Sequence, residues 1–260
     1  MTGARTSPAW ASTAVARLLD GPPQDAEVLA SMRAAAYVSV PDVSSGMPLL
    51  ALLTPGAIRL PIGVVLDTAE LPEAGTTVRV GGGSIRTRER AWRPARWWNP
   101  RPSVSPVQLR RRAAGLAALL EEEPRESFGL PLETALHVAG ALARGDAEPA
   151  CAVLGLGPGL TPAGDDVVAG ALAALWHARL LDRRVAAEIA ECASTHTTAL
   201  SAALLAAAAR GEVIPEAAAV LAGHPAVAAL LRVGATSGHA LCAGMAGALV
   251  AVPEIARSVR

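Results

Sequence analysis

Lysine is absent: all 23 basic residues of this 260-residue chain are arginine. A lysine Schiff base, a phosphate-loop lysine and a lysine general base are thereby excluded. Any anion has to be held by arginine, by backbone N–H groups or by a metal ion. Aromatic residues are scarce too, with one Tyr, one Phe and five Trp. A core of Ala, Leu and Val remains, and such small side chains favour closely packed helices. Net charge is zero, so no global field draws the chain to nucleic acid or to an anionic membrane. The three cysteines, Cys151, Cys192 and Cys242, are few, odd in number and far apart. They form no CxxC pair, which argues against a zinc knuckle or a disulfide framework. Cys151 and Cys192 read as buried small hydrophobes. The longest apolar stretches, near 200–209 and 240–252, fall short of the ~18–20 residues that span a bilayer. No long apolar run follows the N-terminal residues, so no signal peptide is expected and the expected location is cytoplasmic, with no membrane partner.

Hydrophobic residues make up 52% of the chain and charged ones 18%, which is the composition of a folded protein and not of a disordered one. Two textures follow each other. From about Val28 to Asn99, short β-strands are broken by Pro and Gly, with candidates at 36–40, 49–54, 63–67, 76–80 and 84–88, and turn signals such as the run 40–46. After Pro106 the pattern is helical, with candidates at 106–120, 131–143, 165–181, 184–193, 197–209, 215–222, 225–231 and 238–250. The fold class expected is α+β, a small antiparallel sheet or barrel followed by an all-helical half. The expected domains are 1–104, β-rich, and 105–260, helical.

Residues 79–112 hold ten arginines against one acid, Glu89, with Trp92, Trp97 and Trp98 interleaved. Basic-plus-aromatic is one recipe for binding single-stranded nucleic acid. No RNA- or DNA-binding motif accompanies it, so nucleic acid is not expected as a partner. A solvated or subunit-facing edge, or a supply of anion-binding side chains, accounts for the patch equally well.

The most specific stretch is Gly155-Leu-Gly-Pro-Gly-Leu-Thr-Pro-Ala-Gly-Asp-Asp166. Glycines around a proline can adopt positive φ and approach a ligand closely, and successive N–H groups there can form an anion-binding nest. A helix is expected to open directly after the turn, adding unpaired N–H groups and the positive end of its dipole. Gly155, Gly157, Gly159, Thr161 and Gly164 are therefore candidate ligand-binding residues. Asp165 and Asp166 either cap the helix, bridge a Mg²⁺ ion, or face a neutral N–H-rich part of the ligand. They are the candidate catalytic residues and the only candidate metal ligands, Mg²⁺ being the one cofactor the pattern admits. The ligand that suits the turn has an anionic end and an amide end. Neither a Walker loop nor a GxGxxG fingerprint is present.

Thr197 and Thr198, and the turn Thr236-Ser237-Gly238, offer hydroxyls and N–H groups that serve either a ligand or a helix cap. The histidines show no HxxxH or HExxH spacing, so zinc is not expected. His196, beside the threonine pair, and His239, beside the Thr-Ser-Gly turn, are the candidate general acids or bases, and His196 is taken as the catalytic one.

The segment 155–166 resembles the GxGPGLTPSGDD hallmark of the AllH-like family, whose named member is a subunit of oxamate carbamoyltransferase. Ala163 stands where that family commonly has serine. The resemblance extends through 49–54, Pro61-Ile-Gly, Leu71-Pro-Glu-Ala-Gly75, Trp97-Trp-Asn-Pro100 and Thr197-Thr-Ala-Leu-Ser201. It ends at Gly234-Ala-Thr-Ser-Gly238, similar to the family's GHSSG-type turn, with Ala235 in place of histidine and Ala240 in place of aspartate. It implies carbamoyl transfer in allantoin breakdown, in which oxalurate and phosphate interconvert with oxamate and carbamoyl phosphate. Carbamoyl phosphate carries the anionic and amide ends that the turn asks for. Other protein subunits are also implied, so the chain is expected to be either a catalytic subunit or a non-catalytic scaffold or ligand-binding one. A metal-dependent hydrolase is the weaker alternative.

Overall fold

A computed structural model of the chain describes residues 5–41, 47–107, 109 and 129–258. Two compact units divide it, residues 1–100 and 101–260.

The first unit is a closed eight-stranded barrel. Its strands are β1 Arg5–Ser12, β2 Gln24–Ser31, β3 Ala35–Ser39, β4 Leu49–Leu53, β5 Gly63–Val65, β6 Thr77–Gly81, β7 Ser84–Arg86 and β8 Arg90–Trp98. A short helix α1, Ala16–Asp20, follows β1. Around the barrel the order is β1-β5-β4-β3-β2-β6-β7-β8, and β8 closes onto β1. Most neighbours are antiparallel, but β4–β5 and β1–β8 run parallel. Strand β4, Leu-Leu-Ala-Leu-Leu, is buried at every position. By contrast β6 shows the alternation of a strand with one wet face. The core is made of Leu50, Leu52, Leu53, Val28, Val38, Val64 and Ile85.

All five strand candidates are present, but β1, β2 and β8 exceed what the sequence pattern predicts. Pro8 in β1 and Pro94 in β8 each remove a ladder N–H, the ordinary mark of a non-strand. The two meet at the barrel seam, Pro8 opposite Arg93 and Ala9 opposite Pro94, just before a register shift between Ala9 and Trp10. The run 42–46 of the expected turn lies outside the described residues.

The second unit is helical: α2 Leu132–Ala143, α3 Glu148–Val153, α4 Ala163–His177, α5 Arg183–His196, α6 Ala199–Ala208, α7 Pro215–Ala222, α8 Val227–Leu231 and α9 Ser237–Ser258. Residues 110–120 of the helix expected after Pro106 lie outside the described residues. Helix α3 is an addition: its six residues are too few for a periodic signal. Helix α4 is the centre of this unit, buried at every position except Trp176. It packs closely on α9 because each helix offers a glycine to the other. A Cβ at Gly170 would strike the Leu241 carbonyl, and one at Gly244 the Val167 carbonyl. An alanine-rich pair with glycines at its closest points brings two backbones together, and that fixes the first turns of both helices relative to each other.

Candidate functional site

The turn after α3 holds its shape through three glycines in the left-handed region, Gly155 at φ 77°, Gly157 at 120° and Gly159 at 94°. A side chain at Gly155 would also collide with the His196 carbonyl, and one at Gly157 would meet the Ala163 nitrogen at 2.7 Å. Only glycine meets both demands at these two positions. The turn is exposed from Leu156 to Leu160, whereas Ala163 to Asp166 are buried.

The turn delivers the chain to the start of α4, close to the first residues of α6 and α9. Thr161 lies 3.0 Å from Ser237, hydroxyl to hydroxyl, which ties the turn to the start of α9. The Leu160 carbonyl accepts from the Thr198 hydroxyl at 2.7 Å and the Ser201 hydroxyl at 3.3 Å, which ties it to the start of α6. Three helix N-termini therefore surround one polar cluster, and the positive ends of their dipoles add there.

The two aspartates do different work. Asp165 accepts from the Gly155 N–H at 2.8 Å through one oxygen and from the Thr197 hydroxyl through the other. It staples the turn and the end of α5 to α4, with one hydrogen bond to each of its oxygens. Asp166, one position on, faces Thr161 and Ser237. It is 6% exposed, and its Oδ2 is buried with no partner among the described residues. Burial is the main force that pushes its carboxyl up to about 7; the Ser237 and Thr161 hydroxyls oppose this, and the Asp165 charge adds to it. At neutral pH the group is poised between a hydrogen-bond donor and an acceptor.

The expected ligand-binding N–H groups divide as well. Those of Gly157, Gly159 and Thr161 have no protein acceptor among the described residues. Gly155 gives its N–H to Asp165, Gly164 to the Leu156 carbonyl at 3.0 Å and Gly238 to the Val233 carbonyl at 2.9 Å. These last three shape the site and do not contact a ligand through their N–H groups. Thr198 is the N-cap of α6, accepting from Ser201 N–H at 3.0 Å. Thr236 supplies the carbonyl that receives the Ala240 N–H at 3.0 Å. The His196 ring is exposed, with Nδ1 2.9 Å from both the Cys192 carbonyl and the Thr195 hydroxyl. It is held at the end of its own helix, and its part in the site is its backbone carbonyl against Gly155. His239 lies half-buried in the first turn of α9.

Of the two carboxylates that could face a divalent cation, Asp165 is engaged by the Gly155 N–H and the Thr197 hydroxyl, and Asp166 faces the Thr161 and Ser237 hydroxyls. Among the described residues no group of three or more His, Cys, Asp and Glu is arranged to hold a metal ion.

Ser201, at the third position of α6 and beside the threonine pair in the sequence, helps Thr198 hold Leu160. One feature lies beyond the sequence reading. Cys151 and Cys192 are joined as a disulfide with Cα atoms 5.8 Å apart, not buried free thiols. Their separation of 41 residues carries no signal; the packing of α3 on α5 creates the pair. The bridge links the helix that enters the turn to the helix that ends beside it. Cys242 is buried and free, and burial pushes its thiol up to about 11. No described helix is long and apolar enough to cross a membrane.

Comparison with curated proteins found no match, and neither did comparison with solved structures. Over residues 153–249, a span that contains every candidate site residue, the chain matches the family described as oxamate carbamoyltransferase subunit AllH.

Proposed function

We propose that the chain is a subunit of an oxamate carbamoyltransferase-type enzyme and that the 155–166 turn binds a carbamoyl phosphate-like ligand. The observation that carries this reading is the chemistry of the cluster. Free N–H groups at Gly157, Gly159 and Thr161 sit at the meeting of three helix N-termini, beside a buried carboxyl with one unpartnered oxygen. An oxyanion fits the N–H groups. The amide end of the same ligand fits Asp166, since a carboxylate oxygen accepts from an NH₂ group. The family match over this span supports the choice of carbamoyl phosphate among ligands with those two ends.

In carbamoyl transfer the acceptor nitrogen attacks the carbamoyl carbon as the bond to the phosphate oxygen breaks. The N–H groups and helix dipoles would stabilise the charge that gathers on the departing phosphate, and Asp166 would hold the carbamoyl nitrogen in line. Rate enhancement would come from positioning and electrostatics. Asp165 is a positioning residue, acting through the turn. Since the His196 ring is held by the Cys192 carbonyl and the Thr195 hydroxyl at the end of α5, a subunit that binds ligand and relies on a partner for turnover is the second reading.

Thermal unfolding of the whole chain with carbamoyl phosphate, phosphate and oxamate tests the site. At about 100 times Kd a ligand adds roughly 2.7 kcal/mol, a rise on the order of 5–10 °C for a protein of this size. Carbamoyl phosphate is expected to give that rise in the parent chain and none in Asp166→Ala. An equal rise in the variant would remove Asp166 from the site. Turnover by the isolated chain separates the catalytic subunit from the binding one.

A further inference from the structure

The barrel seam holds a second group of donors that no described residue satisfies. Trp10 of β1 lies opposite Arg96 of β8, and Ser12 opposite Trp98, so the two indoles stand near each other on neighbouring parallel strands. Their rings meet edge to face with centroids 5.7 Å apart. The guanidinium of Arg96 lies 4.5 Å from the Trp10 ring centroid, and that of Arg59, from the loop between β4 and β5, lies at the same distance. Among the described residues neither arginine has a carboxylate or hydrogen-bond partner, although Arg79 pairs with Asp25 and Arg90 with Glu70 elsewhere on the barrel. The Nε1 atoms of Trp10 and Trp98 are both buried without an acceptor. Trp98 is 8% exposed, so water does not readily serve it.

Two cations drawn to one ring repel each other, and two buried N–H donors without acceptors are destabilising. Two guanidinium groups at the Trp10 ring and two indole N–H donors of rings in contact are accounted for by a single missing component, an acceptor that carries negative charge. We infer that the Trp10–Arg59–Arg96–Trp98 cluster is a binding site for a carboxylate. A planar carboxylate presents two oxygens with in-plane lone pairs, which suits a guanidinium edge and an indole N–H together. The site belongs to the first unit and stands whether or not the 155–166 turn binds carbamoyl phosphate. The carboxylate comes from one of two sources, a free small acid or an Asp or Glu side chain on a partner protein. This cluster also gives the arginine–tryptophan run of the sequence a role other than nucleic-acid binding.

The test uses the full chain labelled with ¹⁵N, whose five tryptophans give separate indole N–H signals. Titration with sodium malonate, against sodium chloride at equal ionic strength, is expected to shift two indole signals saturably. Trp10→Phe and Trp98→Phe assign them. Arg59→Gln and Arg96→Gln, which change exposed or half-exposed side chains, are each expected to weaken the effect at least tenfold while the other indole signals stay in place. Saturation at much lower concentration by a glutamate-rich peptide assigns the carboxylate to a partner chain; saturation by malonate alone assigns it to a small acid. Equal shifts with chloride, persistence of the shift in the Arg59→Gln/Arg96→Gln double variant, or saturation by inorganic phosphate and not by carboxylates would each overturn the inference.

Discussion

Asp166 sits where burial favours its neutral form, and this has a consequence for stability that can be measured without any ligand. Its carboxyl is raised from 3.8 to about 7 in the folded chain. Between those values the folded state keeps a proton that the unfolded state has released. Stability therefore falls as pH rises from about 4 to 7 and flattens above that. At about 1.4 kcal/mol per pH unit, the contribution lost is on the order of 4 kcal/mol. Asp166→Asn keeps the shape and removes the titration. The variant is expected to unfold at higher urea than the parent at pH 8 and to lose that advantage near pH 4. Parallel pH profiles for the two proteins would show that Asp166 ionises freely. The neighbouring carboxylate illustrates how far adjacent residues can part. Successive positions on a helix are turned by about 100°, which is enough to give Asp165 to the turn and Thr197 while Asp166 faces Thr161 and Ser237. Sequence alone identifies the pair as important but does not divide its roles, because the division depends on where α6 and α9 begin in space.

Legibility differs from element to element for physical reasons. The helices around the site follow from apolar periodicity and end signals, such as Gly145 at φ 85° after α2. The glycines of the turn are equally legible, since three left-handed residues in five admit little else. Strands β1 and β8 are not, because proline and arginine mask a strand whose partner lies about 85 positions away by register. Helix α3 is hidden by its length, and the disulfide by its dependence on how α3 meets α5. That bridge closes a loop with a sequence separation of 41 and so restricts the unfolded chain. By the loop-entropy relation its loss costs about 4 kcal/mol, with smaller values common in practice. Cys192→Ser, or the parent chain in excess dithiol, is expected to unfold at clearly lower denaturant than the oxidised parent. An unchanged midpoint would mean that the bridge adds nothing to stability in solution.

At the scale of the whole molecule, the change of texture near residue 100 is what the sequence shows most openly, and the barrel closure is what it conceals. Strand β1 begins at Arg5 and strand β8 ends at Trp98, yet the two are neighbours at the seam. Every other adjacent pair is joined through a shorter stretch of chain. Closing the seam therefore carries the largest loop-closure entropy in the unit, and contacts so distant in sequence slow folding. On a ribosome, β1 has no parallel partner until β8 has been made. Until then the sheet is open, with the outer flanks of β1, paired to β5, and of β7 exposed as hydrogen-bonding edges, the condition that invites pairing with other chains. Deleting residues 5–12 leaves the barrel open for good, with β5 and β8 as its edges. The shortened protein is expected to sediment as aggregate where the full chain stays in the supernatant, and a monodisperse barrel from that deletion would show that the seam is dispensable. The order of synthesis thus leaves one flank of the first strand made waiting for the last.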